Sequence, residues 1–102
     1  MALRHVVMFR FRPDVTEEQR ARLAEELRRL PAAIPEIAAY TVGTDAGLAE
    51  GNWDFAVVGD FASKEDWETY RDHQVHQAVI ADHVRPLVTE RAATQIVIPR
   101  PE

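Results

Sequence analysis

The opening run of the chain, Leu3 to Phe11, is apolar on both of its faces, and this limits the folds open to it. Read with the two-residue period of a strand, Leu3, His5, Val7, Phe9 and Phe11 point one way, while Arg4, Val6, Met8 and Arg10 point the other. The third strand-like run, Trp53 to Phe61, repeats the pattern, with Ala56 and Val58 opposing Phe55, Val57 and Phe61. The last, Thr94 to Ile98, sets Val97 against Ile96 and Ile98. A strand with two apolar faces needs cover on both sides.

The cover available within the chain is one layer. After Pro13 and Asp14, Thr16 and Gln19 form a capping box, and Leu23, Leu27 and Leu30 follow at helical spacing until Pro31 and Pro35 end the helix. A second strand, Ile37 to Thr44, leads through the Gly47 to Asn52 loop to the third. Ser63 with Asp66 then opens a second helical region carrying Trp67 and Tyr70. It continues or restarts through Val75, Val79, Ile80 and Val84 and ends by Pro86, and Pro99 and Pro101 close the chain after the last strand. The order β-α-β-β-α-β is the split-βαβ arrangement of ferredoxin-like α+β folds, in which two helices cover one face of four strands. The simplest cover for the other face is the same face of a second copy, so the pattern predicts a homodimer joined through the sheet.

At 102 residues the chain predicts a single domain spanning 1–102. Its net charge of −5 argues against a nucleic-acid partner, and Arg20, Arg22, Arg28 and Arg29 alternate with Glu17, Glu18, Glu25 and Glu26 as on a solvated helix face. The absence of cysteine excludes disulfides, thiolate nucleophiles and thiolate metal sites. No signal-like apolar start and no run near the ~20 residues of a membrane span is present, so a cytoplasmic, soluble protein without a membrane partner is expected.

The reactive groups are concentrated in His5 and in the run Tyr70-Arg71-Asp72-His73-Gln74-Val75-His76. Imidazole, near pKa ~6.5, and phenol, near ~10, suit proton transfer at neutral pH. His5 shares its face with Val7, Phe9 and Phe11, and reads equally as a core or rim histidine bonded to backbone. Tyr70 follows Trp67 by three residues, so the two rings pack inward together, and the tyrosine hydroxyl then needs a polar partner of any kind. His73 and His76 have the spacing of a metal pair on a continuous helix. A third ligand from Asp72, Asp82 or His83 completes no known signature, so neither a metal nor another cofactor is expected. No serine lies in a nucleophile elbow, and the glycines match no phosphate loop.

The segments Arg4-His5-Val6-Val7-Met8-Phe9-Arg10-Phe11-Arg12-Pro13 and Tyr70 to His76 resemble the stress-responsive A/B barrel family, also called Dabb, over nearly the whole chain. The resemblance implies a dimeric α+β barrel of two ferredoxin-like units. It also implies a link to a plant relative, olivetolic acid cyclase, which closes a linear poly-β-ketone by intramolecular aldol condensation with a histidine base and a tyrosine that polarises the substrate. Carried over by motif position, those roles fall on His76 and Tyr70, with His5 in support. Val7, Phe9, Trp67, His73, Val79 and Ile96 are expected to form the binding site for an apolar small molecule. Two departures stand out: Gln74 where the family often has proline, and Phe55 at the position aligned with a third-strand histidine of the plant enzyme. The expected function is a cofactor-independent cyclase or isomerase acting on an apolar, polyketide-like carbonyl compound. The alternatives are a non-catalytic ligand-binding or stress-response dimer and, on fold analogy alone, a cofactor-free monooxygenase.

Overall fold

The computed structural model describes residues 1–99, so Pro101, expected to close the chain, lies outside the described residues. Four strands, β1 (Ala2–Phe11), β2 (Ile37–Thr44), β3 (Phe55–Phe61) and β4 (Val88–Ile98), form one antiparallel sheet in the order β2-β3-β1-β4. The helices are α1 (Glu17–Arg28), a short α2 (Leu30–Ala33), α3 (Lys64–Asp72) and α4 (Gln74–Val79), which runs into a π-helical turn at Ile80–Val84. This is the ferredoxin-like α+β fold.

The caps form as the sequence predicts. The Gln19 backbone N–H donates to Thr16 Oγ1 at 3.1 Å and the Thr16 N–H donates to Gln19 Oε1 at 2.8 Å, which satisfies two otherwise orphaned donors. Asp66 N–H donates to Ser63 Oγ at 3.1 Å to start α3. Pro31 differs from its expected role: α1 already ends at Arg28, and Pro31 sits in the first turn of α2, where its missing N–H costs nothing.

Two strands also differ in extent. β3 begins at Phe55 rather than Trp53, and β4 begins at Val88 rather than Thr94. β4 is an edge strand held by its ladder to β1 from Ala2↔Ile98 to Phe11↔Val88. Backbone pairing holds this strand, so its first half needs no apolar alternation.

The register sorts side chains by face. His5, Val7 and Phe9 of β1 lie beside Gly59, Val57 and Phe55 of β3 on the helix side, and beside Gln95, Ala93 and Arg91 of β4. The helices close over this face, and Phe55, Phe61, Leu23, Leu30 and Ile34 are its most deeply buried side chains. The opposite face carries Val6, Met8, Ala56 and Val58, all half-buried, with no helix over them among the described residues. A bidentate Arg4–Asp60 pair at 2.8 and 3.0 Å flanks that apolar strip.

Candidate active site: a histidine–tyrosine cavity

A cavity of about 480 Å³ lies between the helix face of the sheet and the second helical region. His5, Val7, Phe9, Trp67, Tyr70 and His76 all line it. Its remaining walls come from Leu27, Val57, Ile80, Val84 and Ala93, with Tyr40, Arg71, Gln77, Arg91 and Gln95 adding polar groups.

The local sequence around His73 aims His76. His73 takes extended backbone angles (φ −63°, ψ 135°), which ends α3, and its Nδ1 accepts the Val75 backbone N–H at 3.1 Å to cap α4. The imidazole cap thus sets the turn that a proline at position 74 would otherwise help to fix. The break leaves the Arg71 carbonyl unused at the end of α3, and it accepts from His76 Nδ1–H at 3.0 Å and from the Gln77 side-chain amide. A carbonyl can only accept, so the His76 proton is held on Nδ1 and the lone pair is on Nε2.

Tyr70 is buried, and its ring stacks on His76 with centroids 4.1 Å apart and planes inclined at 29°. Its hydroxyl lies 2.8 Å from the Tyr40 hydroxyl. With Tyr40 as donor, the Tyr70 proton is free to point into the cavity. Gly59 makes room for this arrangement, because a Cβ there would lie 3.2 Å from both the Tyr40 and Phe61 rings. His5 packs at 5.9 Å from Trp67 and 6.1 Å from Tyr70, centroid to centroid. Its Nδ1 accepts from the Gln95 side-chain amide at 2.8 Å, so the ring proton is on Nε2.

Burial sets the protonation states. It pushes His5 down to about 4, helped by the Arg91 charge and by His76. Burial also lowers His76, opposed by the backbone carbonyls of Arg71 and Tyr70. Burial raises Tyr70 and Tyr40, although the Tyr40 hydrogen bond and the Arg91 charge pull Tyr70 back. At neutral pH the site therefore holds two neutral imidazoles and two protonated phenols.

Three expected binding residues lie elsewhere. Ile96 pairs with Arg4, so it falls on the opposite face of the sheet from His5. Val79 is buried in the hydrophobic core, while His76, Ile80 and Val84, four residues apart, line the cavity. His73 is the cap described above; because the helix breaks at it, its three-residue spacing from His76 does not make the two neighbours on one helix. Tyr40, Arg91 and Gln95 are cavity residues that sequence reasoning missed. Tyr40 shares its strand face with the buried Val42, a signal that was present; Arg91 lies in the part of β4 that carries no apolar alternation. Phe55 is core, and Val57 is the β3 side chain that reaches the cavity. Among the described residues, no three His, Cys, Asp or Glu side chains converge as a metal site, and no helix is long and apolar enough to cross a membrane.

Sheet order, helical cover and a histidine- and tyrosine-lined cavity between them define an α+β protein of the ferredoxin-like class with a small-molecule-sized pocket. The chain belongs to the stress-responsive A/B barrel domain family (Dabb), whose family model matches residues 3–98. A dimeric ferredoxin-like protein of unknown function from Thermobifida fusca is 41% identical, with 96% of this chain and 92% of that one covered and a TM-score of 0.89. A dimeric ferredoxin-fold protein of unknown function from Bacteroides fragilis is 25% identical over 95% of this chain and 96% of that one, with a TM-score of 0.80. A hydroxynitrile lyase from Passiflora edulis is 18% identical over 99% of this chain and 96% of that one, with a TM-score of 0.82, a likeness of fold. No curated protein matches the chain in sequence.

Proposed function

We propose that the chain, working as one domain and as a cytoplasmic homodimer, is a cofactor-independent enzyme that moves protons on an apolar carbonyl compound, in a cyclisation or isomerisation. The observation that carries this reading is His76: a buried, neutral imidazole whose proton is tied to the Arg71 carbonyl, stacked at 4.1 Å on a tyrosine inside a mostly apolar cavity. Nε2 takes a proton from a carbon between two carbonyls. Tyr70, accepting from Tyr40, donates a hydrogen bond from its hydroxyl to the developing enolate oxygen and keeps its proton. His5, held through Gln95, adds an Nε2–H donor and stays neutral because its pKa lies at about 4. In a cyclisation the enolate carbon attacks a second carbonyl of the same chain, and the His76 imidazolium returns its proton to the new alkoxide. Apolar walls favour a folded substrate and limit water.

The dimer is supported by the uncovered strip of Val6, Met8, Ala56 and Val58, and by the dimeric description of the T. fusca and B. fragilis proteins. That a hydroxynitrile lyase has this fold supports its use as an enzyme scaffold. A relation to the plant polyketide cyclase suggests the first substrates to try. The test is a panel of linear poly-β-ketone thioesters of increasing acyl length, followed by mass spectrometry. His76→Ala is expected to lower turnover by about 10²–10⁴-fold with circular dichroism unchanged. If the wild type binds panel members yet converts none faster than buffer does, the pocket is a binding site without catalysis.

A further inference from the structure

Two donors in the cavity wall have no acceptor among the described residues, the exposed guanidinium of Arg91 and the buried indole N–H of Trp67. Arg91 lies beside Phe9 in the β1–β4 register, on the helix side of the sheet, and lines the cavity. Its guanidinium has no hydrogen bond or ion pair with any described residue. Arg71, the other cationic side chain in the wall, is neutralised by Asp72 at 2.8 and 2.9 Å and lies over the Trp67 ring. The indole N–H of Trp67 is buried with no partner among the described residues. Among the described residues, no Asp or Glu side chain lines the cavity, although the chain has 17 acids and a net charge of −5. In so acidic a protein, a cavity lining with no described acid leaves the solvent-facing Arg91 charge available to an anionic ligand. The Arg91 charge is felt at the centre of the site, where it depresses both His5 and His76.

We propose that the cavity binds its ligand as a carboxylate, with Arg91 on the β4 side holding the anionic head and the apolar walls by Val7, Phe9 and Val57 receiving the body. A guanidinium presents parallel N–H donors that match the two oxygens of a carboxylate, and the pairing is stronger than a neutral hydrogen bond. This reading rests on the cavity being a small-molecule site and deepens it: the ligand is an amphipathic organic acid rather than a wholly apolar carbonyl compound. With the carboxylate anchored at β4, the reacting carbons lie toward His76 and Tyr70.

The test uses 2-naphthoate and 2-naphthamide, probes of one shape that differ in charge, titrated calorimetrically into the full chain at pH 8 and low salt. The wild type is expected to prefer naphthoate by about tenfold, as suits a partly exposed charge-assisted pair. Arg91→Gln is expected to remove that preference and leave naphthamide affinity unchanged; because Arg91 is exposed, the variant is expected to melt with the wild type. Equal affinities in the wild type overturn the proposal. So does a preference that survives Arg91→Gln, including one that Arg71→Gln then removes. In both cases naphthamide binding leaves the small-molecule site standing. If neither probe binds, the small-molecule site itself fails, and the Arg91 assignment fails with it.

Discussion

Replacing Tyr40 by phenylalanine deletes one oxygen and leaves the Tyr70 hydroxyl without its 2.8 Å partner. Tyr70 is only 2% exposed, so the loss combines a hydrogen bond, net about 0.5–1.5 kcal/mol, with the desolvation of a stranded polar group, about 1–3 kcal/mol in a dry site. The adjoining cavity lets water replace part of what is lost, which places the expected cost near the lower end, about 1–2 kcal/mol. Tyr70→Phe strands the Tyr40 hydroxyl instead; Tyr40 is half-buried and rehydrates more readily, so about 1 kcal/mol is expected. The double variant strands nothing. It is expected to cost less than the sum of the single changes, with a coupling of about 1 kcal/mol. Urea unfolding of all four proteins at one fixed concentration measures this, and the Tyr40→Phe melting temperature is expected to fall by about 5–10 °C. Additive single changes, or a Tyr40→Phe cost below about 0.3 kcal/mol, would refute the view that the two hydroxyls hold one another. The Tyr70 proton would then have no reason to point into the cavity.

Other consequences are as direct. His5 has a folded pKa of about 4 against an ordinary 6.5, so between those values the unfolded chain binds more protons and stability falls as pH falls. Denaturant melts from pH 7 to pH 4 are expected to show a loss of the order of 2 kcal/mol that His5→Gln reduces; a flat profile across that window would contradict burial of a neutral ring. Gly59→Ala places a methyl 3.2 Å from Tyr40 and Phe61, and is expected to destabilise by about 1–3 kcal/mol and to weaken the Tyr40–Tyr70 coupling; an unchanged double-mutant cycle in that background refutes the role given to Gly59. Val58→Glu buries a charge in any sheet-to-sheet interface and is expected to give monomers by analytical ultracentrifugation; dimers of undiminished affinity would move the interface elsewhere.

The secondary elements were legible wherever local chemistry determines them. Thr16 and Ser63 announce the starts of α1 and α3, because a side-chain oxygen meets backbone donors two or three residues on. Alternation in β1 placed His5, Val7 and Phe9 on one face, and the concentration of titratable rings drew attention to Tyr70 and His76; all five line the cavity. Where the pattern was weak, the reading stopped short. The first half of β4 is exposed and carries its residues on backbone pairing alone, so Arg91 lay outside the predicted strand, and Ile96 was assigned to the cavity although its register with Arg4 turns it away.

The identity of the titrating groups, their residence on β1 and the second helical region, and the two apolar faces of the sheet belong to the sequence itself, since periodicity and capping act over a few residues. The proton positions belong to the tertiary structure. Which nitrogen of His76 carries hydrogen depends on the Arg71 carbonyl freed where α3 ends, and that of His5 depends on Gln95, 90 positions away along the chain. The Tyr40–Tyr70 pair bridges 30 positions and needs Gly59 beneath it. Hydrogen bonds act over about 3 Å, and only the packing of β4 and β2 against the rest of the sheet brings such distant groups within that reach.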